Sequence, residues 1–224
     1  PEGPGPWPAL TVVSDDTYPP YIFRDEQGKL QGIVIDQWNL WEKKTGTKVT
    51  VIGMDWGKAQ KFMADGNADV IDTVFFTEER AQQYTFTKPY ATLSVPVFFH
   101  RDISGITDVD SLKGFTIGVK EGDACIEVLR AHGITSLQPY KSYKQIVEAA
   151  ADSRIKVFVI DEPPALYYLY KLQIESAFRH SAPLYVGQFH RAVKKGREDV
   201  LQVLKRIAAP LLPTLYLMGG LAWP

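Results

Sequence analysis

Apolar and polar positions follow two alternating rhythms along this chain. Runs rich in β-branched residues at 10–14, 48–54, 69–74 and 93–100 predict strands. Between them, apolar residues at helical spacing predict a helix over 33–45, carrying Ile33, Ile35, Leu40 and Trp41 and ended by Gly46. A short helix over 59–64, stopped by Asp65-Gly66-Asn67, and a helical start at 77–80 follow the same logic. After the turn-rich stretch 102–110 a second series begins: strand 115–119, helix 124–131, strand 136–140, helix 143–151, strand 157–160 and helix 165–172. An extended run at 188–193 and a helix over 198–209 close the pattern. Strands alternating with helices imply an α/β fold with a largely parallel sheet. The two series match in order without a repeat of fixed period, which predicts two lobes. Residues 9–99 with 188–224 form the first, and 100–187 the second. The chain then crosses between lobes near His100 and near Gly187, and two crossings make a hinge.

Composition narrows the function classes. With 224 residues, 45% of them hydrophobic, the chain can bury one or two ordinary cores. A net charge of -1 excludes the basic footprint of a nucleic-acid binder, so the expected partner is a small molecule. The single cysteine, Cys125, cannot form an internal bridge, and with four scattered histidines it does not supply a structural zinc site; no metal and no cofactor are expected. Cys125 reads as a buried filler, and His190, near the return crossing, as structural. No apolar run reaches the ~18–20 residues that span a bilayer. The N-terminus lacks a signal-peptide pattern, so such a segment was trimmed or the chain is cytosolic. Residues 1–8, rich in proline and glycine, read as a disordered lead or linker. The apolar tail 208–224, twice broken by proline, packs on the first lobe, swaps onto a neighbour or approaches a membrane helix. Nucleophile-elbow, phosphate-loop and dinucleotide glycine patterns are missing, which argues against an enzyme. Asp15, Asp72, Asp123 and Asp161 nevertheless offer carboxylates for an acid–base pair, keeping a hydrolase or dehydratase as the alternative.

An ordered set of short motifs carries a resemblance. Asp15-Asp16-Thr17-Tyr18-Pro19-Pro20-Tyr21-Ile22-Phe23 is followed by Trp56, Gly66-Asn67-Ala68-Asp69, Thr77-Glu78-Glu79-Arg80 and Phe86-Thr87-Lys88-Pro89-Tyr90. Gly118-Val119-Lys120-Glu121-Gly122, Val157-Phe158-Val159-Ile160-Asp161 and Ala192-Val193-Lys194-Lys195-Gly196 complete it. The set, running from about Leu10 to about Leu204, resembles the bacterial extracellular solute-binding proteins of family 3, the polar amino acid class. The resemblance implies a periplasmic-binding-protein-like (Venus flytrap) fold, with two α/β lobes joined by a two-strand hinge that close on a ligand. It implies a periplasmic location and two settings. One is the sensor ectodomain of a membrane signalling protein, possible as a homodimer, which the proline-broken tail favours; the other is the free receptor of an amino acid ABC permease.

The resemblance also implies a ligand-binding set: Asp15, Tyr18, Trp56, Asp72, Thr73, Phe75, Arg80, Glu121, Asp123, Ala124 and Asp161. Arg80 would hold the ligand carboxylate through its planar donors. Asp161, at the C-terminal edge of its strand, would take the ammonium or cap the next helix. Tyr18 and Trp56 would sandwich the side chain. Two acidic groups, Asp15 and Asp72, are costly in an enclosed cleft without a cation, which points to a basic ligand such as arginine unless Asp72 pairs internally with Arg80 or Lys120. Phe75 stands where a hydroxyl commonly donates to the carboxylate, and Asp123-Ala124 stand where hydroxyl residues are usual, with backbone N–H groups at Thr77 and Ala124 as substitutes.

Overall fold

The structure is a computed structural model that describes residues 9–205. The lead 1–8, the tail 208–224 and the end of the helix expected over 198–209 lie outside the described residues. Strand β1 (Ala9–Asp15) opens the chain, followed by the short β2 (Thr17–Tyr18), β3 (Ile22–Arg24) and β4 (Leu30–Gln31). Next come α1 (Ile33–Thr45), β5 (Lys48–Met54), α2 (Trp56–Ala64), β6 (Val70–Phe75), α3 (Glu78–Ala81), β7 (Tyr84–Phe86) and β8 (Ala91–His100). The second series is β9 (Ile117–Lys120), α4 (Cys125–Ala131), β10 (Leu137–Tyr140), α5 (Tyr143–Ala151), β11 (Val157–Val159) and α6 (Glu162–Lys171). The chain returns through β12 (Phe178–Lys194) to α7 (Glu198–Lys205).

One nine-stranded sheet runs in the order β10-β9-β11-β8-β12-β6-β1-β5, with β7 on β12, and β2-β3-β4 form a separate small sheet. Pairing is parallel among β5, β1 and β6 and among β10, β9 and β11. Antiparallel β8 and β12 stand between these two groups, from Ala91↔Phe189 at one end to Phe178↔His100 at the other. At the first end β12 pairs with β6, and at the second β8 pairs with β11. Two α/β lobes are thus joined by two long strands.

Several boundaries differ from the sequence expectation by one or more residues, and three of them have a reason in the structure. The segment at 188–193 is the end of a strand that starts at Phe178, because register shifts around Pro183 absorb a residue that argues against pairing. Helix α2 starts at Trp56 since the Asp55 side chain caps the Lys58 N–H. Helix α6 starts at Glu162 because Pro163 and Pro164 sit in its first turn, where a missing N–H costs nothing. The buried face of α1 also differs: Val34, Trp38 and Trp41 are buried while Leu40 is exposed. Gly46 ends that helix in the left-handed conformation.

A bulge interrupts β6 opposite β12. Val74 pairs with His190 and Ile71 with Ala192, so Asp72 and Thr73 together oppose Arg191. Thr73 has φ 54, a left-handed conformation that a β-branched residue adopts only at a cost. Its hydroxyl is 2.7 Å from that of Ser14, and its Oγ1 also donates to the Asp72 carbonyl at 2.7 Å, which holds the bulge in shape. Two steps further, the Phe75 ring lies against the Gly187 backbone so closely that any Cβ there would overlap it.

Candidate ligand-binding site

The lobes meet over a small cavity at the C-terminal ends of β1, β6 and β9. Asp15, Tyr18, Trp56, Thr73, Phe75 and Arg80 line it from the first lobe, Asp123, Tyr143 and Asp161 from the second, and Phe189 from β12. The free space is about what one water molecule needs, so a larger ligand enters only if the lobes part or side chains swing aside.

Arg80 is buried, its position set by Thr77, which caps α3 and receives the Arg80 N–H at 3.2 Å. Its Nη1 donates to the Phe75 carbonyl at 3.0 Å and its Nη2 reaches across the cleft to the Gly122 carbonyl at 3.0 Å. That carbonyl also accepts from Trp56 Nε1 at 3.1 Å and Gln60 Nε2 at 3.3 Å. Three donors of the first lobe therefore converge on one oxygen of the second. Gly122 has φ 72, a left-handed conformation that favours glycine at this turn. The Arg80 guanidinium lies over the Trp56 ring, 5.4 Å from its centroid.

Asp161 is the N-cap residue of α6 by position, yet its side chain makes no cap bond. Its carboxylate accepts instead from Tyr18 Oη, across the cleft, at 2.6 Å. Asp123 accepts from Tyr143 Oη at 3.0 Å and from the Ala124 N–H at 3.1 Å. Burial, and then the nearby Asp123 carboxylate, raise the Asp161 carboxyl well above its ordinary value, against the Tyr18 hydrogen bond and the Lys120 and Arg80 charges. Two carboxylates facing one space with one arginine are a place for a ligand ammonium.

The acid pair expected to demand a cationic ligand is supplied internally. Asp15 pairs across the cleft with Lys120, which also donates to Thr17 Oγ1 at 3.2 Å and lies over the Tyr143 ring at 4.2 Å. Burial pulls the Lys120 ammonium down to about 7, against the Asp123 and Asp161 carboxylates, which pull it back up. Asp72 lies outside the cavity, paired neither with Arg80 nor with Lys120. It accepts from Arg191 Nε at 3.0 Å, Trp38 Nε1 at 2.6 Å and Tyr90 Oη at 2.6 Å, and Arg191 continues to Gln37 Oε1 at 2.7 Å.

Two further expected residues stand apart from the cavity. Glu121 is exposed and lines a neighbouring groove, and Ala124 lies under another groove beside the hinge, its N–H already given to Asp123. Thr73 and Phe75 do reach the cavity. Cys125 is buried, its thiol directed at the Val159 carbonyl at 3.6 Å and pushed up by burial. His190 Nδ1 lies 2.8 Å from the Thr87 carbonyl. Among the described residues no group of His, Cys, Asp and Glu could hold a metal ion. Sequence reasoning missed Tyr143, Phe189 and the role of Lys120. Lys120 ends β9 and Tyr143 follows the end of β10, at the edge where α/β sheets present ligand sites, the one signal that could have found them.

Two hinged α/β lobes with charged groups and aromatic rings facing each other across the cleft define a two-lobed solute-binding protein. The chain belongs to the bacterial extracellular solute-binding proteins, family 3, whose profile matches residues 10–211. It is similar to the L-cystine-binding protein TcyJ of Escherichia coli K12, 26% identical over 211 residues that make up 90% of this chain and 77% of that protein. The arginine-binding periplasmic protein of Mannheimia haemolytica is 24% identical over 179 residues, 79% of this chain and 70% of that one. Among solved structures, a histidine kinase sensor domain with similarity to periplasmic binding proteins superposes with a TM-score of 0.83 at 20% identity, covering 88% of this chain and 87% of that one. An ancestral arginine-binding protein bound to arginine gives 0.80 at 25% identity, covering 89% and 90%.

Proposed function

We propose that this protein binds an α-amino acid between its lobes and closes on it, without catalysis, as the periplasmic sensor domain of a membrane signalling protein. The observation that carries the reading is that Arg80 of the first lobe and Asp161 of the second line the same cavity. The ligand carboxylate takes the Arg80 donor now on Gly122, and its ammonium takes the Asp161 oxygen now on Tyr18. Each exchange replaces one contact between lobes with a bridge through the ligand. Tyr18, Trp56 and Phe189 then enclose the side chain. Glu121, Ala124 and Asp72 act around the site rather than on the ligand. The basic side chain expected from Asp15 and Asp72 loses its ground, since each has a buried cation of its own.

A thermal-shift screen against the common amino acids tests the reading, because a ligand bound only by the folded state raises the midpoint. Arg80→Ala is expected to abolish the shift of the best ligand; an unchanged shift overturns the carboxylate role. The second setting, a free receptor for an amino acid ABC permease, is favoured by the likeness to the L-cystine-binding protein. Deleting the gene separates the two. Lost uptake of the labelled ligand supports the receptor, while intact uptake with a lost signalling response supports the sensor.

A further inference from the structure

Lys120 is a buried cation beside the cavity. It ends β9 with no exposed surface, and its ammonium crosses the cleft to Asp15, a cavity-lining carboxylate that is itself 3% exposed. Thr17 Oγ1 and the Tyr143 ring complete its surroundings, and Tyr143 is itself a wall of the cavity. Asp15 Oδ1 is already used by the Thr17 N–H at 2.9 Å and the Thr17 hydroxyl at 2.8 Å, and Oδ2 by Lys120. Both carboxylate oxygens are therefore occupied, and the charge beside them is positive. A ligand bearing a second cation would have to displace Lys120 from a buried partner and leave that ammonium unpaired, which is far costlier than seating an uncharged side chain. The uncompensated carboxylates of the cleft, Asp123 and Asp161, stand together on the second lobe and meet the single ammonium that every α-amino acid carries.

Resting on the amino-acid reading above, we propose that Lys120 is a specificity-determining residue, a built-in cation that closes Asp15 to basic ligands and selects an α-amino acid with an uncharged side chain. The test compares glutamine with arginine, probes of similar length that differ in charge, by titration calorimetry on the whole protein. The wild type is expected to prefer glutamine. Lys120→Met frees Asp15 and is expected to move the affinity ratio towards arginine by at least about tenfold. The double variant Asp15→Asn/Lys120→Met, which removes both charges of the pair, is expected to return the ratio to the wild-type side. A merely structural lysine would change affinity for both probes alike. The proposal is overturned if the wild type prefers arginine, if Lys120→Met leaves the ratio in place, or if the double variant keeps the arginine gain. Should Lys120→Met fail to fold, the wild-type preference and Lys120→Arg, expected to keep rejecting arginine, carry the same decision. Arg80→Ala separates the two layers. If it abolishes binding while the ratio ignores Lys120, only the specificity role falls; if it leaves binding intact, the amino-acid reading falls as well.

Discussion

Asp72 with Arg191 forms a buried ion pair wholly within the first lobe, whereas Asp15 with Lys120 forms one that spans the cleft. In the first the carboxylate is fully buried: Trp38 and Tyr90 donate to it, and both rings lie within 5 Å of the Arg191 guanidinium, at 4.6 and 4.8 Å. It keeps its partners whatever the lobes do. The second exists only while the lobes are together, since one member ends β1 and the other β9. Identical chemistry thus serves the fold in one place and the conformational equilibrium in the other, because only an interaction that differs between open and closed states can bias closure.

The largest effect is expected from the pair inside the lobe. Arg191→Met strands a buried carboxylate and should cost about 3–5 kcal/mol of stability, read from urea unfolding midpoints. Adding Asp72→Asn should recover much of that loss, and neither change should alter which amino acid is preferred. A shift in preference would erase the distinction between the pairs.

Arg80→Ala comes next. Each charge-assisted bond is worth about 1.5–3 kcal/mol, so losing the carboxylate contact should weaken ligand binding by at least about tenfold in calorimetry. Asp161→Asn should move two properties in opposite directions. It relieves the repulsion from Asp123, raising the melting temperature of the ligand-free protein by about 2–4 °C per kcal/mol relieved, while ligand binding is lost with the ammonium partner. Acidification should act in the same sense. The raised Asp161 carboxyl holds its proton more tightly in the folded state, so its contribution to stability is complete below the ordinary value of 3.8 and disappears as pH rises through the raised one. Ligand affinity, which needs the ionised form, should fall over that same interval as the pH is lowered. Affinity that holds constant down to 3.8 would contradict the Asp161 assignment. The smallest effect belongs to Gln60→Ala, which removes one of three donors from the Gly122 carbonyl. An increase in ligand dissociation rate corresponding to about 0.5–1.5 kcal/mol is expected, well short of the loss at Arg80.

Much of the architecture was legible in the chain. Strands 48–54 and helices 33–45 and 143–151 agree with the structure residue for residue, because apolar periodicity and end signals such as Gly46 act locally. Misreadings fell where tertiary contacts override a local rule. The extended run expected over 188–193 is only the end of a strand that begins at Phe178, and the bulge at Asp72–Thr73 depends on β12 for its partner, Arg191. The face of α1 was misjudged for a related reason: Trp38 is drawn inward by Asp72, a residue 34 positions away.

The site divides along the same line. Arg80, Asp161, Tyr18 and Trp56 were expected because the resemblance to family 3 implies them, and the structure places all four around one cavity. Their charge balance could not be foreseen, since a sequence lists carboxylates and cations without pairing them. From the sequence came the two-lobed α/β class and, through the family resemblance, the expectation that Arg80 and Asp161 face one cleft. Only the tertiary structure decided that Asp72 belongs to Arg191 and Asp15 to Lys120. Pairing energies depend on separations of a few ångströms and on exclusion of water, and both arise only when segments as distant as positions 15 and 120 are folded against each other.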